Sequence, residues 1–194
     1  MLLKSKVLRK NELQFFHDFN NANGGAPVEL DYLRQAKVRV FFHPNNPDVC
    51  LAGYAINTRP PFRYLSVVDA ETRQTLMNEH HWKDTDLAEI TLIVKKRHFK
   101  WTKAERFIYY AHSIYDAFVT GREVILGGSK NAVLAGTMMQ VLSKKLYMGS
   151  VNFFGKSEIT WLFYEHRLEM VKNLVKSGIH IVLLSLQRSR PNKV

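Results

Sequence analysis

One apolar run near the middle of the chain constrains the fold more than any other feature. Residues Ala88 to Lys95 read Ala-Glu-Ile-Thr-Leu-Ile-Val-Lys, so both faces of a strand built from them would be largely apolar. Such a strand is typical of the centre of a sheet, where both faces are covered. Behind it, Thr102 and Glu105 have the spacing of a capping box, which predicts a helix that ends near Gly121.

Weaker signals on both sides of this run indicate the order of the other elements. Helix-start residues and apolar spacing predict two short helices, beginning at Asn11 and near Pro27, and then a hairpin over 37–42 and 49–57. The polar stretch 69–86 receives no assignment. An antiparallel meander followed by strands with intervening helices predicts an α+β fold, with a mixed, mostly antiparallel central sheet flanked by helices. The remaining predictions are strands over 62–68, 123–126, 151–154, 159–164 and 179–187, and helices over 129–146 and 167–176.

Composition excludes several classes of protein. The single cysteine, Cys50, cannot form an internal disulfide, which excludes a disulfide-stapled secreted scaffold. No apolar stretch approaches the ~18 residues that a membrane span needs, and residues 1–6 lack the apolar core of a signal peptide. We therefore expect a cytoplasmic protein. The eight histidines show no metal-ligand spacing, so no metal is expected.

The charge balance predicts an anionic partner. Lys and Arg number 28 against 17 Asp and Glu, for a net charge of +11. Six of these cations lie between Lys95 and Arg106, at the predicted start of a helix, where backbone N–H groups attract anions. The run also contains Phe99 and Trp101, and interleaved basic and aromatic residues are typical of single-stranded nucleic-acid binding. A phosphate-bearing ligand, an acidic partner, nucleic acid and a merely solvated loop remain alternatives.

The order of elements resembles the GNAT fold, that of the Gcn5-related N-acetyltransferases. Residues 49–57 are similar to a glycine-containing strand of the family, 89–95 to its fourth strand, and 125–131 to its fifth strand and the turn into the next helix. Residues 146–149 resemble the Tyr-then-Gly ending of its second long helix. The resemblance covers roughly Ser5 to Tyr164. It implies a GNAT-like domain over 1–166 and a helix–strand extension of the same domain over 167–194.

The resemblance also implies a reaction and a site. Members of the family move an acyl group from a thioester donor to an amine. By resemblance, Glu89 would be the base that deprotonates the amine, and Tyr147 the acid that protonates the leaving thiolate. The residues alone allow a carboxylate ion pair for Glu89 and half-buried packing for Tyr147. The donor would contact these residues: Ile93, Val94, Lys95, Lys96, Arg97, Lys100, Thr102, Lys103 and Asn131. Asn131 is also a suitable helix cap.

One departure from the family bears on the donor. The family signature after the fourth strand is Arg/Gln-x-x-Gly-x-Gly/Ala, whose glycines let the backbone approach a pyrophosphate. Residues 96–104 of this chain contain no glycine, so bulky side chains stand there. Autoinducer synthases and N-acyl amino acid synthases, which lack these glycines, take the acyl group from acyl carrier protein. The donor is therefore expected to be acyl-CoA or acyl carrier protein. A nucleic-acid-binding protein and a non-catalytic interaction protein on the same fold are the alternatives.

Overall fold

The computed structural model describes residues 3–153 and 156–188. The strands are β1 (Lys4–Val7), β2 (Lys37–His43), β3 (Asn46–Asn57), β4 (Leu87–Lys95), β5 (Val124–Ser129), β6 (Lys144–Phe153) and β7 (Lys156–His166). The helices are α1 (Leu13–Ala22), α2 (Leu30–Gln35), α3 (Arg63–Ser66), α4 (Ala70–Glu79), α5 (Lys103–Phe118), α6 (Ala132–Met139) and α7 (Arg167–Arg188). The described strands form one sheet, in the order β1-β2-β3-β4-β5-β7-β6. Among them β4 and β5 are the one parallel pair.

The predicted α+β fold class is confirmed, and so are its most strongly marked elements. The hairpin (β2 and β3), the apolar central strand (β4) and the helix behind the capping box (α5) are all present. At the start of α5 the Thr102 hydroxyl accepts a hydrogen bond from the Glu105 N–H at 3.2 Å, and the Glu105 carboxylate accepts one from the Thr102 N–H at 2.8 Å. The capping box therefore forms as predicted.

The two faces of the sheet carry different helices, because successive side chains of a strand point to opposite faces. Helices α5, α6 and α7 cover one face over a core that includes Phe41, Tyr54, Tyr109, Phe163 and Met170. On the opposite face, α1 and α2 cover one end of the sheet, and α3 and α4 cover the other. Both faces of β4 are thus covered, as its apolar sequence predicts.

The strand predicted over 62–68 is wrong, since this segment contains α3. Phe62, Leu65 and Val68 are the buried residues, with relative exposures of 3%, 3% and 8%. A spacing of three places side chains on one side of a helical turn, whereas a strand buries every second residue. The unassigned stretch after it forms α4, whose first turn is capped by the Asp69 carboxylate accepting the Thr72 N–H at 2.8 Å.

The helix predicted over 129–146 is too long. It ends at Met139, and β6 begins at Lys144 and pairs with β7, from Lys144 opposite Tyr164 to Phe153 opposite Lys156. Apolar residues do continue at helical spacing beyond Met139, but pairing with β7 overrides that local preference. The turn residues 154–155, at the end of one predicted strand, lie outside the described residues.

The predicted C-terminal helix and strand form one helix, α7, so the strand over 179–187 is wrong. Gly178, between the two predicted segments, lies where α7 crosses α5, since an added Cβ would come within 2.9 Å of the Phe107 ring. Glycine permits this close helix–helix approach. Met170 is fully buried against the core beneath α5. The last residues of the predicted extension, 189–194, lie outside the described part.

Candidate functional site

The parallel strands β4 and β5 diverge soon after they meet. Their pairing consists of Leu87 opposite Val124, Ala88 opposite Ile125, and Glu89 opposite Leu126. Beyond this point β4 continues beside β3, whereas β5 continues beside β7 as far as Ser129. Residues 90–95 of β4 and 127–129 of β5 are therefore not paired with each other, and the name cleft is used below for this unpaired opening between the two strands.

A β-bulge in β4 lies along this cleft. The register with β3 shifts between the pairs Ala55–Thr91 and Gly53–Val94, and Leu92 has a positive φ of 52°. The bulge changes which side chains point to which face: Ile90 packs on the α5 face, whereas Leu92, two residues later, packs under α1 and α2. Bulges of this kind re-aim side chains next to functional sites.

Glu89 lies at the closed end of the cleft and is fully buried. Its carboxylate accepts hydrogen bonds from the Tyr32 hydroxyl at 2.5 Å, the Arg63 N–H at 2.9 Å, the Tyr64 N–H at 3.1 Å and the Asn57 amide at 3.4 Å. Burial raises the pKa of Glu89, although these hydrogen bonds oppose the rise. Among the described residues its partners are thus hydroxyl, amide and backbone donors rather than the Lys or Arg of an ion pair.

Tyr32 connects Glu89 to a less buried environment. It belongs to α2, is half-buried, and the Arg63 guanidinium lies 5.4 Å from the centre of its ring. Burial raises the pKa of the Tyr32 hydroxyl, and the nearby charge of Glu89 raises it further. Tyr32 therefore stays protonated near neutral pH and can donate to the carboxylate.

Tyr147 lies on β6, not at the end of a helix, so its position differs from the one that the resemblance implies. It packs against the core under α3 and α4, which is the face of the sheet where the partners of Glu89 lie. In the strand order, β5 and β7 separate β6 from β4. An added Cβ on Gly149 would come within 2.4 Å of the Tyr147 hydroxyl, so this side chain runs along its own strand.

The loop after β4 carries most of the basic run and is fixed to its surroundings. The Lys96 N–H donates to the Leu51 carbonyl at 2.7 Å, and the Arg97 N–H donates to the Asn23 side chain at 2.9 Å. Both side chains are exposed. Because these backbone donors already have partners, recognition of an anion here would rest mainly on side chains.

The remaining predicted donor contacts surround the start of α5 and the cleft. Lys100 and Lys103 are exposed, and the Thr102 hydroxyl is engaged with Glu105 in the capping box. Burial lowers the pKa of the half-buried Lys95, and the charge of Arg106 lowers it further. Ile93, Val94 and Lys95 thus form the end of β4 beside the cleft, with the Ile93 and Val94 side chains on opposite faces of the sheet. Five of the other predicted contacts follow in the loop and at the start of α5: Lys96, Arg97, Lys100, Thr102 and Lys103.

Asn131 lies across the cleft, after β5. Its side-chain oxygen accepts the Leu134 N–H at 3.0 Å, which makes it the N-cap of α6. In this structure Asn131 therefore caps a helix, which is one of the two roles predicted for it from the sequence. Ser129 supports the same turn, since its hydroxyl accepts the Asn131 N–H at 2.9 Å.

Sequence reasoning missed three residues that surround Glu89: Tyr32, Asn57 and Tyr64. The Tyr32 contact spans 57 positions of the chain, and the Asn57 contact spans 32. Tyr64 lies in the segment that was expected to be a strand. No sequence motif marks a tyrosine in a short helix or a polar residue at the end of a strand as part of a site. No local signal could therefore have identified these three residues.

A mixed sheet whose one parallel pair diverges beside a bulged strand is the architecture of the acyl-CoA N-acyltransferase (GNAT) fold. No family model matches the sequence, and no curated protein matches it. Solved structures do match. FeeM, an N-acyl amino acid synthase from uncultured soil microbes, is 11% identical over 91% of this chain and 98% of its own, with a TM-score of 0.67.

Two acetyltransferases have the same architecture. YncA from Salmonella typhimurium, described as a putative acetyltransferase with its cofactor acetyl-CoA, is 12% identical over 86% of this chain and 95% of its own, with a TM-score of 0.56. The ribosomal-protein-alanine N-acetyltransferase from Brucella melitensis is 11% identical over 84% and 99%, with a TM-score of 0.54. Identities this low establish the fold alone. The chain therefore has a divergent GNAT-like fold, as the order of its elements predicted.

Among the residues that the structure describes, no group of three or more His, Cys, Asp or Glu side chains is placed to hold a metal ion. No helix in this part of the chain is both long and apolar enough to cross a membrane.

Proposed function

We propose that this protein transfers an acyl group from a thioester donor to an amine. The observation that carries the proposal is the divergence of β4 and β5 directly after Glu89, beside a bulge at Leu92. In the GNAT fold this gap admits the thioester arm of the donor. A buried carboxylate with a raised pKa at the end of such a gap is a candidate acid–base group.

In this proposal Glu89 is the base. The carboxylate itself is fully buried, but the half-buried Tyr32 hydroxyl is bonded to it at 2.5 Å. A proton from the amine would reach Glu89 through that hydroxyl, which passes its own proton to the carboxylate as it receives another. The neutral amine then attacks the thioester carbon.

Tyr147 is the acid that the resemblance suggests for the leaving sulfur. Its support is its packing on the face of the sheet where the partners of Glu89 lie. The Tyr147→Phe variant tests the role: a loss of turnover of about 10²-fold or more with unchanged donor affinity supports it. Unchanged turnover would assign Tyr147 to packing against Gly149 and the core under α3.

The donor carries a phosphopantetheine arm, whether it is acyl-CoA or acyl carrier protein. Support for acyl-CoA comes from YncA, whose structure contains acetyl-CoA. Support for a larger acidic donor comes from the glycine-free loop, where the exposed Lys96, Arg97, Lys100 and Lys103 present charge to the surface. Charge of this kind attracts either phosphates or an acidic protein surface.

Calorimetric titration with acetyl-CoA, longer acyl-CoAs and acyl carrier protein tests the proposal and separates the donors. Release of free thiol in the presence of pooled amines then reports the transfer itself. We expect heat with at least one donor and thiol release that depends on an amine. No heat with any donor would overturn the enzymatic function. A gel shift with single-stranded nucleic acid over a salt series tests the nucleic-acid alternative, which predicts binding that falls steeply with salt.

A further inference from the structure

Tyr64 lies in the opening between β4 and β5. Its hydroxyl donates to the carbonyl of Ile90 on β4 at 3.0 Å. Its ring lies against β5, since an added Cβ on Gly128 would come within 2.8 Å of ring atom Cδ1. Ile90 and Gly128 both follow the last paired residues of their strands. The Tyr64 side chain therefore bridges the two strands where they have stopped bonding to each other.

The backbone of Tyr64 is held by the candidate base. The N–H groups of Arg63 and Tyr64 donate to Glu89 at 2.9 and 3.1 Å, so the carboxylate fixes the first turn of α3. One buried side chain thus sets the position of the hydroxyl relative to the base. Catalytic groups need this kind of support from a second layer of contacts.

The Tyr64 hydroxyl is a hydrogen-bond donor rather than a strong acid. Burial raises its pKa, and the charge of Glu89 raises it further, while hydrogen bonds from Thr91 and the Gly128 backbone oppose the rise. The hydroxyl therefore keeps its proton near neutral pH. A hydroxyl proton also rotates readily about the C–O bond, so it can turn from the Ile90 carbonyl to another acceptor in the cleft.

We propose that the Tyr64 hydroxyl is a catalytic donor that stabilises negative charge on the thioester oxygen during acyl transfer. This inference rests on the proposed function. As the C–N bond forms, the carbonyl electron pair moves to oxygen, where the hydroxyl donates to it. The pair returns as the C–S bond breaks, and the thiolate leaves with the bonding electrons. The new amide nitrogen gives up one proton and the leaving sulfur takes one up, so the products are an amide and a free thiol. Tyr64 keeps its own proton throughout, and the step balances without any further reactant.

The Tyr64→Phe variant removes only the hydroxyl and keeps the ring that packs on Gly128. Loss of one oxyanion donor lowers kcat by about 10²- to 10³-fold in other enzymes. We expect a fall of that order with donor affinity changed less than about threefold. Tyr115→Phe is the matched control, because Tyr115 is 60% exposed on α5 and its variant should retain full turnover. Melting curves confirm that both variants fold.

Infrared spectroscopy gives a readout that does not require turnover. A ¹³C-labelled thioester carbonyl, bound without an amine, should absorb at lower frequency in the unchanged protein than in Tyr64→Phe. If Tyr64→Phe fails to fold, Gly128→Ala replaces it, because the added Cβ would come within 2.8 Å of both the Tyr64 ring and the Leu162 side chain and would displace the ring without removing the hydroxyl. It should lower kcat in the same way.

The outcomes separate the two proposals. If the unchanged protein binds donor and releases thiol, but Tyr64→Phe has the same kcat and the same carbonyl frequency, the role of Tyr64 is overturned and the acyltransferase function stands. A fall in kcat that matches a fall in donor affinity, with no shift of the carbonyl band, also overturns it. If the unchanged protein neither binds donor nor releases thiol, the proposed function itself fails.

Discussion

Glu89 has one role that its contacts show and a second, catalytic role that we propose. It anchors the start of α3 through two backbone N–H groups, and it is the buried titratable group at the end of the cleft. The anchoring role requires an acceptor, whereas the proposed role as a base requires a proton to arrive and leave. The pKa of Glu89 is raised in the folded state, so the protonation of Glu89 is coupled to folding. The pH dependence of stability therefore reports on its protonation separately from its anchoring of α3.

Glu89→Gln should change how stability depends on pH. A raised pKa means that the folded state binds the proton more tightly than the unfolded chain. The Glu89 contribution to the free energy of unfolding is therefore fully present below the ordinary pKa of 4.5 and is lost as pH rises through the raised value. The loss cannot exceed about 1.4 kcal/mol per pH unit for one proton.

Urea denaturation of both proteins between pH 4 and pH 8 measures this contribution. The stability of the unchanged protein relative to Glu89→Gln should decline as pH rises across the window. Asp116 and Glu165 have lowered pKa values and act in the opposite sense, but both proteins contain them, so their effect cancels in the comparison. A difference that stays constant over the window would contradict the raised pKa.

The packing of helix on strand depends on small residues at close approaches. Gly53 of β3 lies opposite Val94, beside the bulge. An added Cβ there would come within 2.5 Å of the Phe16 ring of α1 and 3.0 Å of the Arg39 carbonyl. Phe16 is fully buried and the carbonyl belongs to the neighbouring strand, so neither can move freely.

Gly53→Ala should therefore lower the free energy of unfolding by about 1–3 kcal/mol, the usual range for overpacking. Gly136→Ala is the matched control, because no atom lies within 4 Å of an added Cβ at this position in α6. Alanine in a helix is favoured over glycine by about 0.5–1 kcal/mol, so this variant should be stabilised. Thermal and urea denaturation measure both. Equal effects of the two substitutions would show that α1 can shift away from β3 without loss.

The net charge of +11 is unevenly distributed over the molecule. Part of it gathers on the exposed loop between the central strand and α5, next to the cleft. A glutamate, Glu105, already occupies the start of that helix, so the exposed lysines and Arg97 are the groups available to a ligand. This arrangement favours one defined anionic partner over diffuse attraction by the whole surface.

The double variant Lys96→Glu with Arg97→Glu should weaken donor binding at least tenfold at low salt, because it reverses two charges beside the expected path of the donor phosphates. Both side chains are exposed, and the bonds of these residues to Leu51 and Asn23 use backbone N–H groups, so stability should change by about 0.5 kcal/mol or less. Lys4→Glu with Lys10→Glu makes the same change in net charge on exposed residues near the far edge of the sheet. Calorimetry that shows equal loss for both variants would assign the effect to net charge alone.

Local patterns in the sequence were sufficient for the central strand, the first hairpin, the capped helix α5 and the α+β class. In each case the information lies within a few residues: an apolar run, two strands beside a turn, or Thr102 with Glu105. Patterns failed over residues 144–146, which continue a helical spacing yet pair with β7, because pairing with a distant strand outweighs intrinsic propensity. They also failed over residues 179–187, which have a strand-like composition yet continue the helix α7 that begins at Arg167.

The candidate site divides in the same way. The sequence alone determined that a buried strand containing Glu89 is followed by a basic loop and then by a capped helix, because these features are contiguous in the chain. Only the tertiary structure decided what surrounds Glu89. Tyr32, Asn57 and Tyr64 come from three separate segments, and their contacts with the carboxylate exist only when α2, the end of β3 and α3 meet over β4. The physical reason is burial: a carboxylate removed from water needs hydrogen-bond donors from whatever chain lies beside it, and the fold determines which chain that is.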